Sequence, residues 1–460
     1  MKNLTDEEWM MKRLTLLLAV MVLLGGACTA RAAELYVHQA SGKNNFPGTK
    51  EQPFKNIQKA IDMAQDGDTI RVAAGNYCGI MDKGQIKLNK QVTLLGGYSP
   101  DFSARDILTH RTTIIPPNKI DTVRQGGLFV IEQGKNKEGK TLIDGFIFDQ
   151  GETNNYHATE GKAEGLETGM LLIPPNKAAN SAGPTAIMPI MGGGGGPNAG
   201  ASGDFTVSNC VFNNASNFGI QLPFGKGVFT ARNNIFVANR MASIEVWGTL
   251  ADPHAAKANI INNTVLFSWC RTKEMSDMGY GVRGMNKCDY VIQGNIMALS
   301  AFAGYDNTRA DSNLKNEKTV ALDRNLFFLN KQADMTIPGG GMFTRIWVEE
   351  NFEDVPSLKV PTTKFTSIEG NVGLKTAEPL KEALNKAYLE GYLNASYKEV
   401  TSYDADSPAN TFRRAMGMNQ QGKIQSSVTM WANRYPLEDA LKLFGAVKDF
   451  GAQLPQQPAQ

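Results

Sequence analysis

The feature that most constrains this chain is a repeat. Five segments, Val207–Phe212, Ala231–Phe236, Ile261–Leu266, Ile292–Met297 and Leu322–Phe327, each read as a short strand that turns at Asn or Gly and resumes with a pair of apolar residues. Their closing residues, Phe212, Phe236, Leu266, Met297 and Phe327, stand 24, 30, 31 and 30 positions apart. One coil of a parallel β-helix needs two or three short strands plus turns, roughly 20 to 30 residues, and stacked coils bury a core that no single repeat could bury alone. The recurring Asn fits the same picture. Asn tolerates the left-handed backbone of a sharp corner, and its amide can bond to the Asn one rung away. Leu142–Asp149 reads as a further rung and Val92–Tyr98 as an earlier one. The expected fold is therefore all-β, a right-handed parallel β-helix solenoid with an N-terminal capping helix and a C-terminal helical region.

A solenoid exposes an apolar cross-section at its start, and Pro53–Gln65 supplies a cover. Phe54, Ile57, Ala60, Ile61 and Ala64 fall on one helical stripe. Between Gly151 and Ala201 the rung pattern lapses. Gly192–Gly196 is a run of five glycines flanked by Pro174, Pro175, Pro184, Pro189 and Pro197, which predicts an excursion over about 152–203. Past Val355 the pattern turns helical, at Pro379–Leu389 and at Pro436–Phe444, where Pro opens the first turn. The expected organisation is a solenoid over 33–354, followed by a region over 355–460 that closes the far end or packs along the side.

Residues 1–32 read as a signal peptide. Lys12 and Arg13 precede the apolar run Leu14–Leu24, too short to span a bilayer, and Ala30-Arg31-Ala32 offers small-x-small cleavage ahead of Ala33. Translation from Met10 or Met11 would remove the acidic stretch Asp6-Glu7-Glu8 that precedes the basic pair. Cys28 gives the alternative of a lipid anchor, against which stands Gly25 where a lipoprotein signal has a large aliphatic residue. No second segment is long and apolar enough to cross a membrane, so an exported protein is expected: periplasmic, on the outer surface or secreted. Lys+Arg 47 against Asp+Glu 45 provides no basic field for nucleic acid. In an oxidising compartment Cys78, Cys210, Cys270 and Cys288 could pair in three ways, although Cys210 sits in a strand pattern and also reads as a plain buried thiol.

Leu35-Tyr36-Val37, Asn45–Thr49, Gln52–Ile61 and Gly67–Tyr77 together resemble the N-terminal signature of secreted pectate-lyase-like β-helix proteins. The resemblance covers some forty residues. It implies the fold and not a reaction, because that superfamily holds polysaccharide lyases, uronate epimerases, glycoside hydrolases and surface proteins without known activity. Leu94–Phe102 with Arg105-Asp106 is similar to a segment that follows the signature in many large bacterial surface proteins.

Lyases and epimerases of uronides remove a proton beside a carboxylate whose charge must be neutralised, so they need a base on one side and a cation or acid on the other. Asp252-Pro253-His254 resembles the Asp-Pro-His-Asp motif of β-helix mannuronan epimerases, departing from it at Ala255. That resemblance implies Asp252 and His254 as catalytic residues, to which Arg240, from the cationic residues of the neighbouring rungs, is added as a third; the other reading is an Asp-Pro turn. Lys226, Arg232, Arg240, Glu245, Arg271 and Arg283 could line a groove for an acidic polymer, or be solvated surface charge. Lys226, Arg232, Glu245 and Arg271 are the expected substrate contacts. Asp149 and Glu152, with Asn154, Asn155 and His157 nearby, carry the oxygen donors that calcium prefers, making Ca2+ the one cofactor to test. Trp431 and Tyr435 could stack on sugars or pack the last helix. The expectation is an exported protein that binds an acidic polysaccharide or envelope component, with lyase or C5-epimerase chemistry left open as the reaction if it is an enzyme. Its alternative is a non-catalytic structural or binding protein of the cell envelope.

Overall fold

A computed structural model describes residues 32–79, 84–116, 126–149, 187–193, 198–215, 217–269, 279–307, 318–330, 333–338, 345–348, 352, 355, 363–389 and 434–455. The export segment, Cys28, Glu152, Asn154, Asn155, His157, Cys270, Arg271 and Trp431 lie outside the described residues.

Each coil passes through three faces. Strands Gly126–Ile131, Ile187–Gly192, Ala242–Gly248, Tyr280–Gly284, Ala303–Asn307 and Ala333–Pro338 stack on the first face. On the second, Glu34–Val37, Thr69–Ala73, Thr93–Tyr98, Lys140–Asp144, Ala201–Ser208, Ala256–Ile261, Asp289–Gln293, Lys318–Asp323 and Thr363–Ser367 pair in turn. The long strand Ile220–Arg232 bridges these two, its first half pairing with Ala242–Gly248 and its second with Ala256–Ile261. The third face runs from Gly75–Tyr77 to Val372–Leu374 and has nine strands among the described residues. All these rung-to-rung pairings are parallel; among the described strands Arg345–Val348 alone pairs antiparallel, with Ala333–Pro338. The result is the right-handed parallel β-helix that parallel crossovers favour.

The core follows from the middle residue of each third-face strand. Phe148, Phe212, Phe236, Val265, Met297 and Phe327 are consecutive register partners, all fully buried. The Phe148 and Phe212 rings stack at 4.9 Å and 11°, and those of Phe212 and Phe236 at 4.4 Å and 4°.

At the corner between the second and third faces the two adjacent polar residues divide the work. The first takes the left-handed backbone: Asn209, Asn233, Asn262, Gly294, Arg324 and Gly370 have φ between 51° and 67°. The second points inward and forms a ladder of Asn234, Asn263, Asn295, Asn325 and Asn371. In each step the Oδ1 of the later Asn accepts both the backbone N–H and the Nδ2 of the earlier one, at 3.1 and 2.9 Å for Asn234 on Asn263 and 2.8 and 3.0 Å for Asn263 on Asn295. Each Nδ2 also donates back to a carbonyl of the preceding coil, as Asn295 does to Ile260 at 2.8 Å. Cys210 starts this column as a buried thiol, its N–H donating to Asn234 Oδ1 at 2.9 Å.

A second corner column, between the third and first faces, was not visible in the repeat. It contains Asn239, Ser268, Ser300 and Asn330, each following a residue of positive φ: Ala238, Phe267, Leu299 and Leu329. Non-polar residues adopt that backbone at a cost of roughly 1–2 kcal/mol each, here offset by burial and by the ladder bonds Ala215 N to Asn239 Oδ1 at 2.9 Å and Ser300 N to Asn330 Oδ1 at 3.0 Å.

The N-terminal cover is the helix Ile57–Met63, and all five stripe residues are buried in the main core. The C-terminal expectation needs two corrections. Rungs continue beyond 355, since Thr363–Ser367 pairs with Lys318–Asp323 and Val372–Leu374 with Leu326–Phe328. The second concerns the helices, which among the described residues are a 3-10 turn at Glu378–Leu380, helical residues at 386–389, and the helix Leu437–Leu441 with Pro436 at its N-cap instead of inside the first turn. Of the two placements, the described residues take the side. Leu380, Leu384, Tyr388, Tyr435 and Leu443 cover the outer apolar residues of the third face, with Phe267 4.8 Å from Tyr388 and 5.7 Å from Tyr435. Inside the stretch read as an excursion, Ile187–Gly192 pairs with Gly126–Ile131 and Ala201–Ser208 with Lys140–Asp144. The rung pattern thus resumes well before 203, in Pro- and Gly-containing strands that hide their periodicity. Cys210 and Cys288 are free thiols, so these two do not pair with one another.

The ladder makes a stability prediction. Asn295→Ala strips partners from Asn263 and from the carbonyl of Ile260, and should cost about 2–4 kcal/mol as buried polar groups lose their bonds. Asn262→Gly, at the exposed left-handed position, should stay within about 0.5 kcal/mol. Urea unfolding midpoints of the two variants test the distinction.

Candidate functional site

On the first face, Ile244 and Val246, Val282, Tyr305 and Met335 point into the core. The residues alternating with them therefore share the outer side. Strand register aligns Gln221, Glu245, Arg283, Asp306 and Thr336 in one row across five coils. The row is bonded end to end. Gln221 Nε2 donates to Glu245 Oε1 at 2.9 Å, Arg283 Nη1 to Glu245 Oε2 at 2.9 Å, Arg283 Nε to Asp306 Oδ2 at 3.1 Å, and Thr336 Oγ1 to Asp306 Oδ1 at 2.7 Å. Although it faces outward it is shielded, with the Arg283 side chain 13% exposed, Glu245 5% and Asp306 0%. Burial opposes the charge on Arg283, but Asp306 and Glu245 outweigh it and raise its pKa further. Chemically the row offers two carboxyl groups held at fixed positions by one guanidinium, a rigid set of hydrogen-bond acceptors.

Only part of the expected site comes together. Glu245 and Arg283 meet directly, while Asp306, Gln221 and Thr336 had not been singled out. Gln221 and Thr336 sit between apolar neighbours, in the pattern Ile220-Gln221-Leu222 and Met335-Thr336-Ile337 that Ile244-Glu245-Val246 shares, while Asp306 lies between Tyr305 and Asn307. That pattern was the available signal, but its spacings of 24, 38, 23 and 30 residues are irregular. Asp252 and His254 occupy the turn after the strand Ala242–Gly248. Asp252 Oδ1 accepts the His254 N–H at 2.9 Å, as in the turn reading, and His254 Nδ1 lies 2.9 Å from Asp289 Oδ2 on the next coil. Arg240 is buried at the other end of the same strand, its N–H bonded to Ala215 O at 3.0 Å. Seven strand residues span roughly 20 Å, so the trio does not converge. Lys226 pairs with Glu138 at 3.2 Å on a different turn, and Arg232 is exposed at the end of a second-face strand. These cations do not form one line with Arg283. Asp149 ends a third-face strand and accepts from Asn214 Nδ2 at 3.4 Å.

The segment Leu94–Asp106 forms a clasp between coils. Tyr98 is flanked by the guanidinium groups of Arg71 at 5.3 Å and Arg105 at 5.8 Å. Arg105 Nε donates to Gly96 O at 2.8 Å and its Nη2 pairs with Asp144, whose Oδ2 accepts from Ser208 Oγ at 2.5 Å and Asn209 Nδ2 at 2.6 Å. Gly145, at φ 76°, is required there, because a Cβ would come within 2.6 Å of Arg105 Nη2. A cavity of about 240 Å3 beside the clasp is lined by Arg105, Asp106, Asp144, Asn209, Leu454 and Pro455.

Residues 40–161, which contain the cap helix and this clasp, match a family described as "Protein of unknown function (DUF1565)". No curated protein matches the chain. Among solved structures, one described as rhamnogalacturonan lyase is similar at 10% identity and TM-score 0.39, covering 86% of this chain and 97% of that one. One described as the complex of XylC with xylose is similar at 12% identity and TM-score 0.35, covering 66% and 67%. Pectate lyase Pel9A is similar at 12% identity and TM-score 0.32, covering 92% and 97%. At such scores the fold assignment stands on the strand pairings themselves.

Two outcomes follow from the burial. Arg283→Leu removes the guanidinium shared by the buried Glu245 and Asp306 and should destabilise by about 3–5 kcal/mol, whereas replacing all three by apolar residues of similar volume should be nearer neutral; urea unfolding compares them. Burial raises the Cys288 thiol from 9.0 to about 12. The folded protein keeps this proton where the unfolded chain loses it, so the thiol's contribution to stability is complete below the ordinary value of 9.0 and lost as pH rises through about 12. Accordingly, peptide mapping after alkylation near neutral pH should find Cys288 unlabelled in the native protein and labelled in urea.

Proposed function

We propose that this is an exported carbohydrate-binding β-helix protein whose ligand lies along the outer side of the first face. The observation that carries the reading is the row from Gln221 to Thr336, five polar side chains at one phase on consecutive coils. Coils repeat at about 4.8 Å, close to the length of one sugar unit in an extended glycan, so successive rungs can address successive sugars. A rigid solenoid also removes much of the ordering cost of presenting such an array. The reading stops at binding, because Arg240 lies at the far end of the strand from the Asp252–His254 turn and the three do not form one site. Nor does the reading specify an acidic polymer, since Lys226 is already paired with Glu138, and Arg283 with Glu245 and Asp306.

The purified protein should be retained by at least one immobilised polysaccharide from a panel of neutral glycans, polyuronides and glycosaminoglycans, without releasing the ultraviolet-absorbing unsaturated uronides that a lyase produces. Absence of retention on every member would overturn the reading. Export is tested separately: protein recovered from an exporting bacterial host should begin at Ala33, and a lipid-modified start at Cys28 would replace cleavage with anchoring.

A further inference from the structure

We propose that Gln221, Pro223, Glu245 and Trp247 form a subsite for one pyranose unit of a neutral, hydroxyl-rich glycan; this rests on the carbohydrate-binding reading and adds the class of ligand. Gln221 is the register partner of Glu245, and Pro223 of Trp247. The residues between them, Leu222 and Val246, are buried in the core, so the four share the outer side of adjacent coils. They make a patch about 4.8 Å across the coils and roughly 7 Å along the strands, dimensions that suit a single sugar ring. One edge is apolar. Pro223 and Trp247 are both half-buried, and Gly192 on the preceding coil lies so close to the proline that a Cβ would fall 2.2 Å from its ring. Any larger residue at Gly192 would crowd the platform from that side.

The other edge is polar and largely made of acceptors. Glu245 takes one bond on each oxygen, from Gln221 and from Arg283. The Glu245 side chain is 5% exposed, so a sugar hydroxyl reaches it at that exposed edge, beside the half-buried Gln221. The C–H face of a pyranose can then lie against the indole while neighbouring hydroxyls donate to Glu245 and receive from Gln221. A uronate fits worse. Its carboxylate has no proton to donate to Glu245, and Arg283, the cation of the row, already serves two carboxyl groups.

The test uses the full-length chain, titrated by tryptophan fluorescence and calorimetry with xylo-, manno-, galacto- and cello-oligosaccharides and with oligogalacturonate. The expected result is binding of at least one neutral series, insensitive to salt, weakened about tenfold or more by Trp247→Ala and preserved by Trp247→Phe. Gln221→Ala, at a half-buried position outside the core, provides a second variant should Trp247→Ala fail to fold, and should weaken binding several-fold. Binding confined to oligogalacturonate, or unchanged by Trp247→Ala or Gln221→Ala in folded protein, would overturn the neutral subsite and leave the carbohydrate reading intact. Binding to none of the saccharides would overturn both.

Discussion

Coil stacking depends on what happens to backbone polar groups at a corner, where a strand must turn without losing its ladder. The asparagine column is the solution found at the junction of the second and third faces. One side chain there accepts two bonds from the coil before it and returns one to that coil's carbonyl, so the corner is satisfied by its neighbours rather than by water. Because each Asn depends on the next, register is fixed over several coils at once. The Phe148–Phe212–Phe236 stack, and the outward rows on every face, inherit their alignment from that register.

This explains which parts of the molecule were legible in the sequence. The third-face strands follow the corner after a constant two or three residues, so their apolar pairs recur at nearly constant spacing and announce the solenoid. First-face strands come after the second corner and after insertions of different length, such as 270–279 between Trp269 and Tyr280. Their alignment is therefore scrambled in sequence even though Glu245, Arg283 and Asp306 touch in space. The second column was hidden for another reason. Ser268 and Ser300 replace Asn in it, and its left-handed residues are Ala, Phe and Leu, which carry no turn signature.

The resemblance at the N-terminal signature has a physical basis that is structural. Its stripe becomes the cap, and the segment after it becomes the Arg71–Tyr98–Arg105–Asp144 clasp, which locks the coil of Leu94 to those of Asp144 and Ser208. A motif that caps and clasps can recur across proteins of unrelated activity. The Asp252-Pro253-His254 match illustrates the converse, since its side chains are bonded within a turn and to Asp289, contacts that need no substrate.

The three faces differ in what lies outside them, and that difference locates the candidate surface. The third face is apolar outside and is covered by the C-terminal segment, whose Tyr388 and Tyr435 pack on Phe267. Outside the second runs a row of partly exposed residues, Thr69, Thr93, Leu142, Thr206, Thr230 and Asn259, without ion pairs linking them. Such a surface is what a strand-favouring, water-compatible sequence produces with no further demand. On the second face the shielded charges are confined to the Arg71–Tyr98–Arg105–Asp144 clasp, whereas the first face sets charged side chains, shielded from water, in one register across its coils beside Trp247. Placing two carboxyl groups and a guanidinium there costs desolvation that an apolar row would avoid. A stacked β-helix core does not call for that expense, which makes the first face the surface to test for a ligand.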